Sequence, residues 1–380
     1  MVDPDGGLAP ATHGGTPRDS LTLNVSDFDF ALPDALIAQD PAAERGGSRL
    51  LAMQRATGGV SHHQFSDLPS LLRAGDLLVV NDTRVFPARL IGVRLPGGGA
   101  AECFLVRPGD QPDTWIALVH PGQRLREGSR MVFTHQSLGD GGVESSRRLN
   151  AEVLGRHFHG RRTVRLWTDD GWPVREAIDA IGHIPLPPYI KRADVPADRD
   201  RYQTVYARER GSIAAPTAGL HFTPQLLDAL SARGVERVTV TLHVGYGTFQ
   251  PVRVDRVEDH RVEAEHYEVS PATAAAVNQA RRDRRRVIAV GTTTTGTLES
   301  FAVNERGEVL PGSGETTLFI HPGVPFNVVS GLITNFHLPK SSLLMLVAAF
   351  AGTAHVLAAY REAVARHYRF YSYGDAMFIA

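Results

Sequence analysis

The chain has 380 residues, a formal net charge of −1, 42% hydrophobic residues and one cysteine, enough for a large core and more consistent with two domains than one. No apolar run approaches the roughly 18 residues of a membrane span; the longest lies at residues 343–352. The balanced charge supplies no overall basic field for nucleic acid. Cys103 has no second cysteine for a disulfide or thiolate metal site and reads as a buried, inert thiol in a reducing cytoplasm.

Residues 1–23, rich in Gly, Pro, Ala, Asp and Thr, lack the basic start and apolar block of a secretory signal and read as a disordered leader. From residue 24 to 87 the pattern gives a helical piece at 66–74, closed by Gly75, and an apolar strand at 76–81. Residues 88–167 read as short strands at 88–95, 101–106, 114–119, 130–133, 151–154 and 163–167. Turns such as Pro96-Gly97-Gly98-Gly99 separate them, the spacing of a small antiparallel barrel or sandwich.

Beyond residue 168 helices and strands alternate, which implies a sheet covered by helices. Thr223-Pro224 opens a helix that Gly234 closes, and Val238, Val240, Leu242 and Val244 alternate along a strand. Ser270-Pro271 opens another helix before a buried-type strand at 287–290. A strand at 332–336, helices at 341–350 and 354–367, and a strand at 376–379 complete the chain. The expected fold class is α/β: a sheet-and-helix domain (residues 24–87 and 168–380) with an inserted β domain (88–167), a small antiparallel barrel or sandwich. The run Arg281, Arg282, Asp283, Arg284, Arg285, Arg286 reads as a solvated helix end that complements the helix dipole, in preference to a phosphate contact.

Four loops could carry chemistry. His243 shares a strand face with Thr239 and Thr241 and precedes Gly245-Tyr246-Gly247-Thr248-Phe249-Gln250 at a strand end, where open α/β sheets place ligands. An ordinary polar residue on a solvated face is the alternative. Val290-Gly291-Thr292-Thr293-Thr294-Thr295 joins a strand to a helix expected to begin near Leu298; its N–H groups and hydroxyls suit an anion or a ribose, although simple N-capping would need only one Thr. Asn335-Phe336-His337-Leu338-Pro339-Lys340 and Ala215-Pro216-Thr217-Ala218-Gly219-Leu220-His221 also place histidines at sheet-to-helix junctions. No His-Glu-x-x-His, calcium-loop or Gly-x-Ser-x-Gly motif occurs.

Together with Asn81-Asp82-Thr83-Arg84-Val85, His183-Ile184-Pro185-Leu186-Pro187-Pro188-Tyr189-Ile190, Glu258-Asp259-His260 and Ser372-Tyr373-Gly374-Asp375-Ala376, these segments strongly resemble the S-adenosylmethionine:tRNA ribosyltransferase-isomerase family of queuosine synthesis. The resemblance covers nearly all of the chain after the leader. It implies a large mixed-sheet, barrel-like α/β domain with an inserted small antiparallel β-barrel, and a cytoplasmic, monomeric transferase with no metal and no permanently bound cofactor. S-adenosylmethionine would serve as ribosyl donor and tRNA carrying an aminomethyl-7-deazaguanine at the wobble position as acceptor, giving epoxyqueuosine-tRNA, adenine and methionine.

That chemistry needs a base beside the sulfonium, assistance to the departing adenine and a deprotonated amine. His221, His243, His260 and Asp375 are the candidates for these roles. Arg84, Tyr189, Pro216, Thr217, Gly219, Gly245, Gly247, Thr248, Gln250, Gly291, Thr292, Thr293, Asn335, His337 and Tyr373 are expected to bind substrate.

Two segments depart from the family pattern. Gly296 stands where the family usually has an Arg, and Val262-Glu263-Ala264-Glu265 where it usually has Met-His-Ser-Glu. A divergent enzyme transferring the ribosyl unit to a small free acceptor, and a non-catalytic RNA-binding module, are the competing readings.

Overall fold

The computed structural model describes residues 23–138, 144–300, 304 and 307–380; the leader expected over residues 1–23 lies outside the described residues except for Leu23. Strands Leu77–Asn81, Val287–Val290 and Gly331–Asn335 are buried along their whole length. Val, Ile and Leu without a polar face are what a sheet covered on both sides requires. Each such side chain, fully buried, contributes about 1.5–3 kcal/mol.

These strands and Glu236–Leu242 run parallel, in the spatial order Glu236–Leu242, Leu77–Asn81, Val287–Val290, Gly331–Asn335. Antiparallel Ala376–Ile379 follows on one side, then Arg49–Met53 and the edge strand Val60–Gln64. On the other side Glu265–Val269 and the edge strand Gly312–Thr316 pair antiparallel. After Leu77–Asn81 the sheet grows first to one side, at Glu236–Leu242, and then to the other, at Val287–Val290. The carboxyl ends of strands at such a switch open a crevice for ligands.

Local sequence explains the helices that cover this sheet. Thr223 and Ser270 accept hydrogen bonds from Leu226 N and Thr273 N, and Pro224 and Pro271 occupy the first helical turn of Pro224–Ala232 and Pro271–Arg282. Ser341 caps Ser342–Ala351 in the same way. Among the described residues no single helix is long and apolar enough to cross a membrane; Ser342–Ala351 and Thr353–Ala365 meet at 117°.

Six antiparallel strands close the second unit into a barrel, in the order Arg161–Trp167, Thr114–His120, Ala100–Pro108, Arg89–Leu95, Arg130–Leu138, Glu144–Arg156. Cys103 lies in its core with Leu105, Phe133, Leu149 and Val164, and burial pushes its thiol up to about 12. The barrel meets the sheet domain where Phe104 packs edge-on against Tyr246 and where Arg161 pairs with Glu263.

Three local expectations change. The helix expected over 66–74 shrinks to the turns Phe65–Asp67 and Leu68–Leu71, because Leu72 is already extended. The helix expected near Leu298 begins at Thr292. Thr294, Thr295 and Thr297 donate to the carbonyls of Val290, Gly291 and Thr293, so β-branched residues that read as a loop are carried inside the helix. The arginine run is also tied to the body of the protein: Arg285 pairs with Glu236 and Arg286 with Asp76. It sits at the start of Val287–Val290, at the opposite end of that strand from Gly291.

Candidate active site

Two cavities adjoin at the carboxyl ends of the parallel strands. The first, about 50 Å³, is lined by Tyr189, Tyr202, Pro216, Thr217, Gly291, Asn335, His337, Tyr371 and Ser372, among others. The second, about 150 Å³, is lined by Gly247, Gln250, His260, Arg261, Val262, Glu263, Glu265, Gly296 and Phe319, among others. Thr248, Thr292, Thr293 and Leu343 line both, so these side chains are the shared wall. Gly291, at φ 91°, makes the strand-to-helix turn that delivers Thr292 and Thr293 to that wall.

Asn335 organises the first cavity. Its Nδ2 donates to the Tyr371 carbonyl at 3.0 Å, which fixes the orientation of the amide. The same nitrogen lies 3.2 Å from His221 Nε2, so that ring nitrogen accepts and Nδ1 donates to Ser48 Oγ at 2.9 Å. Burial lowers His221 to about 4, which keeps the ring neutral. Asn335 Oδ1 is buried without a partner among the described residues. An unsatisfied buried carbonyl on a cavity wall is a ready acceptor for a ligand N–H or O–H.

His337 lines the same cavity, hydrogen-bonded through Nε2 to Thr334 Oγ1 at 2.8 Å, and burial lowers it to about 3. A base so far below neutrality gains little from taking a proton. His337 and His221 are therefore neutral, hydrogen-bonded rings.

The second cavity contains a carboxyl in an unusual setting. Glu265 Oε1 accepts from Gly245 N at 2.9 Å and Thr248 Oγ1 at 3.2 Å. Burial, with the charge of Glu263 adding to it, raises this carboxyl to about 7 against the pull of those two donors. Glu263 is met by Arg161 of the barrel and by Gln250 Nε2. Arg261 donates from Nη1 to the carbonyls of Glu258 and His260. His260 packs edge-on against Phe319 and is lowered by burial and by Arg261.

Thus the structure brings together Tyr189, Pro216, Thr217, Gly247, Thr248, Gln250, Gly291, Thr292, Thr293, Asn335, His337 and, of the expected catalytic residues, His260. His221 touches this set through Asn335. Gly245 touches it through its N–H.

Other expected residues lie apart. Leu242 lines the second cavity and Val244 the first, so strand alternation sends His243 to the opposite face. There it bonds Thr83 Oγ1 and stacks on His266. Asp375 accepts from Arg49 N, Nε and Nη2 and from Arg369 N, which commits both oxygens to holding the chain end. Tyr373 donates to Asp198 at 2.8 Å, and Arg84 is exposed on Thr83–Val85, opposite Arg210. At Gly219 an added Cβ would stand 2.2 Å from Tyr206 Oη and 2.7 Å from Thr204 Cγ2, so close packing accounts for this glycine.

Glu265, Tyr371 and Ser372 were not among the expected site residues. Glu265 keeps the final carboxylate of the family's Met-His-Ser-Glu, which is the signal that could have found it; the partner that fixes its direction, Gly245, lies twenty residues earlier. Among the described residues no group of three or more His, Cys, Asp or Glu is placed to hold a metal ion.

Paired cavities lined by amide, hydroxyl, imidazole and carboxyl groups, at the strand ends of an α/β sheet with an inserted barrel, define the site of an α/β enzyme. A family model described as queuosine biosynthesis protein matches residues 25–379. A relative from Heliobacterium modesticaldum named S-adenosylmethionine:tRNA ribosyltransferase-isomerase is 51% identical over 358 residues, 94% of this chain and 100% of its own length. One from an Anaeromyxobacter species with the same name is 51% identical over 94% of this chain and 99% of its own. The crystal structure of an S-adenosylmethionine tRNA ribosyltransferase from Thermotoga maritima is 35% identical, with a TM-score of 0.51, over 93% of this chain and all of that one. The chain belongs to the queuosine biosynthesis protein family, the S-adenosylmethionine:tRNA ribosyltransferase-isomerases, as its motifs indicated.

Proposed function

We propose that this chain transfers and isomerises the ribosyl part of S-adenosylmethionine onto the aminomethyl group of 7-aminomethyl-7-deazaguanine in tRNA. The products are epoxyqueuosine-tRNA, adenine and methionine. The observation that carries the reading is the pair of cavities with one shared wall of Thr248, Thr292, Thr293 and Leu343. A reaction that joins two substrates needs two compartments in contact, so that the reacting groups meet without diffusing through water.

In this arrangement the first cavity takes the sulfonium nucleoside, with Asn335 Oδ1 accepting a donor from it and His221 holding the amide. The second takes the deazaguanine, delivered on the tRNA across the seam between sheet domain and barrel. S-adenosylmethionine is a co-substrate; the reaction occurs in the cytoplasm and the chain acts as a monomer. A second reading keeps the donor and moves the ribosyl unit to a small free acceptor. It is favoured by one observation: Gly296, Val262 and Glu263, where the chain departs from the family pattern, all line the second cavity.

Incubation with S-adenosylmethionine and tRNA bearing the aminomethyl base tests both. Adenine and methionine released only with that tRNA, in step with its modification, is the expected result. Release without tRNA, driven by the free base, supports the second reading; no release with either acceptor rejects both.

A further inference from the structure

The largest unexplained feature of the second cavity is its charge. The titratable or charged side chains that line it are His260, Arg261, Glu263 and Glu265. Arg261 is turned to backbone carbonyls and Glu263 to Arg161 and Gln250. The facing elements add no charge: helix Thr292–Ser300 contributes Thr292, Thr293 and Gly296, the stretch 316–320 contributes Thr316, Leu318, Phe319 and Ile320, and helix Ser342–Ala351 contributes Ser342, Leu343 and Leu346. Glu265 is left with two neutral donors, both on Oε1.

A carboxyl enclosed among apolar and hydroxyl groups, with no cation of its own, is unstable as an anion unless a cation arrives. The acceptor of the proposed reaction brings one, because a primary amine is an ammonium at neutral pH and cannot attack carbon until it loses a proton. We propose that Glu265 receives the acceptor's primary ammonium in the second cavity and removes its proton through Oε2. The inference rests on the functional reading above.

In this step an N–H bond of the ammonium breaks and an O–H bond forms on Glu265. The ion pair becomes a neutral amine, with its lone pair free, beside a neutral carboxylic acid. Enclosure favours that outcome: it raises the carboxyl, here to about 7, and lowers an ammonium, so the two proton affinities converge. Gly245 N and Thr248 Oγ1 hold Oε1 and so aim the other oxygen. The wall shared with the first cavity puts the freed amine next to the ribosyl donor.

The test compares wild type, Glu265→Gln and Thr248→Val on tRNA bearing the aminomethyl base, with kcat and KM followed from pH 5.5 to 9. In wild type kcat/KM falls on the acid side with a midpoint near 7. Glu265→Gln keeps the acceptor oxygen for Gly245 and Thr248 but cannot take a proton. It is expected to lose about 100-fold or more in kcat, to lose the acid limb, and to bind free 7-aminomethyl-7-deazaguanine at least 10-fold more weakly. Thr248→Val removes one donor to the anion and moves the limb to higher pH. Glu265→Gln with kcat within threefold of wild type and the limb intact overturns the inference, as does an unmoved limb in Thr248→Val should the glutamine variant not fold. A wild-type chain without turnover on this tRNA defeats the functional reading itself, and the inference with it.

Discussion

His221 Nε2 accepts from Asn335 Nδ2 at 3.2 Å while the other hydrogen of that amide goes to the Tyr371 carbonyl at 3.0 Å. The histidine at the sheet-to-helix junction therefore orients an amide, whose remaining oxygen is buried on the cavity lining without a partner among the described residues. Asn335→Ala is expected to raise KM for S-adenosylmethionine about 10-fold, the size of one lost hydrogen bond in an enclosed site. His221→Phe, which leaves one N–H of Asn335 and the Ser48 hydroxyl unpaired, should cost about 1–3 kcal/mol of stability. It should raise the same KM, yet leave the shape of the pH–rate profile between 6 and 8 unchanged. Steady-state kinetics and denaturant unfolding check both.

The same burial makes stability depend on acid. His221 has a folded value of about 4 against an ordinary 6.5. Between those values the unfolded chain binds a proton that the folded one refuses, so stability is whole above 6.5 and declines as pH falls towards 4. For His221 the loss is about 3 kcal/mol, and His337, lowered to about 3, continues it to lower pH. Urea midpoints at pH 7.5 and 4.5 should show the decline, and His221→Phe should flatten part of it.

Glu265 has the opposite dependence. Its folded value is about 7 against an ordinary 4.5, so the unfolded chain ionises first and stability falls as pH rises through that window. Glu265→Gln should then be more stable than wild type at pH 8, by about 1–2 kcal/mol once the opening of the cavity to solvent is allowed for, and equal to it at pH 4. Thermal unfolding at the two pH values measures this.

Within the four-threonine run, function divides by position. Thr294 bonds back to the Val290 carbonyl at the end of the preceding strand, whereas Thr292 and Thr293 line both cavities. Thr294→Val should keep kcat/KM within about twofold, the hydroxyl contributing at most about 1 kcal/mol to the fold. Thr293→Val should lower kcat/KM about 10-fold. Parallel kinetic assays distinguish a helix run from a ligand loop.

Gly219 offers a control. An alanine there meets Tyr206 Oη and Thr204 Cγ2, so Gly219→Ala should cost about 1–3 kcal/mol while the folded fraction retains its KM for both substrates.

The architecture was legible because its signals are local. Buried runs such as 287–290, the caps at Thr223 and Ser270, and the evenly spaced strands of 88–167 each state their structure within a few residues. Most site loops were legible for the same reason: they lie at strand ends. What sequence could not supply was side-chain direction and partner. His243 reads like a strand-end catalyst until the alternation of Leu242 and Val244 turns it away, and Asp375 reads like a free carboxylate until Arg49, some three hundred residues earlier, meets it. Glu265 is the reverse case, an ordinary-looking strand glutamate whose setting comes from a loop and a helix distant in the chain.

In the proposed reaction donor and acceptor occupy separate compartments across one wall. Gly296 has open space where a side chain would project and lines the second cavity, so Gly296→Leu fills that compartment alone, while Asn335→Ala alters the first alone. The direct measurement is KM for S-adenosylmethionine and for the tRNA in both variants. Separate compartments give a crossed pattern: Asn335→Ala raises KM for S-adenosylmethionine with that for tRNA within twofold, and Gly296→Leu does the converse. Both variants raising KM for the same substrate, with the other unaffected, would contradict it.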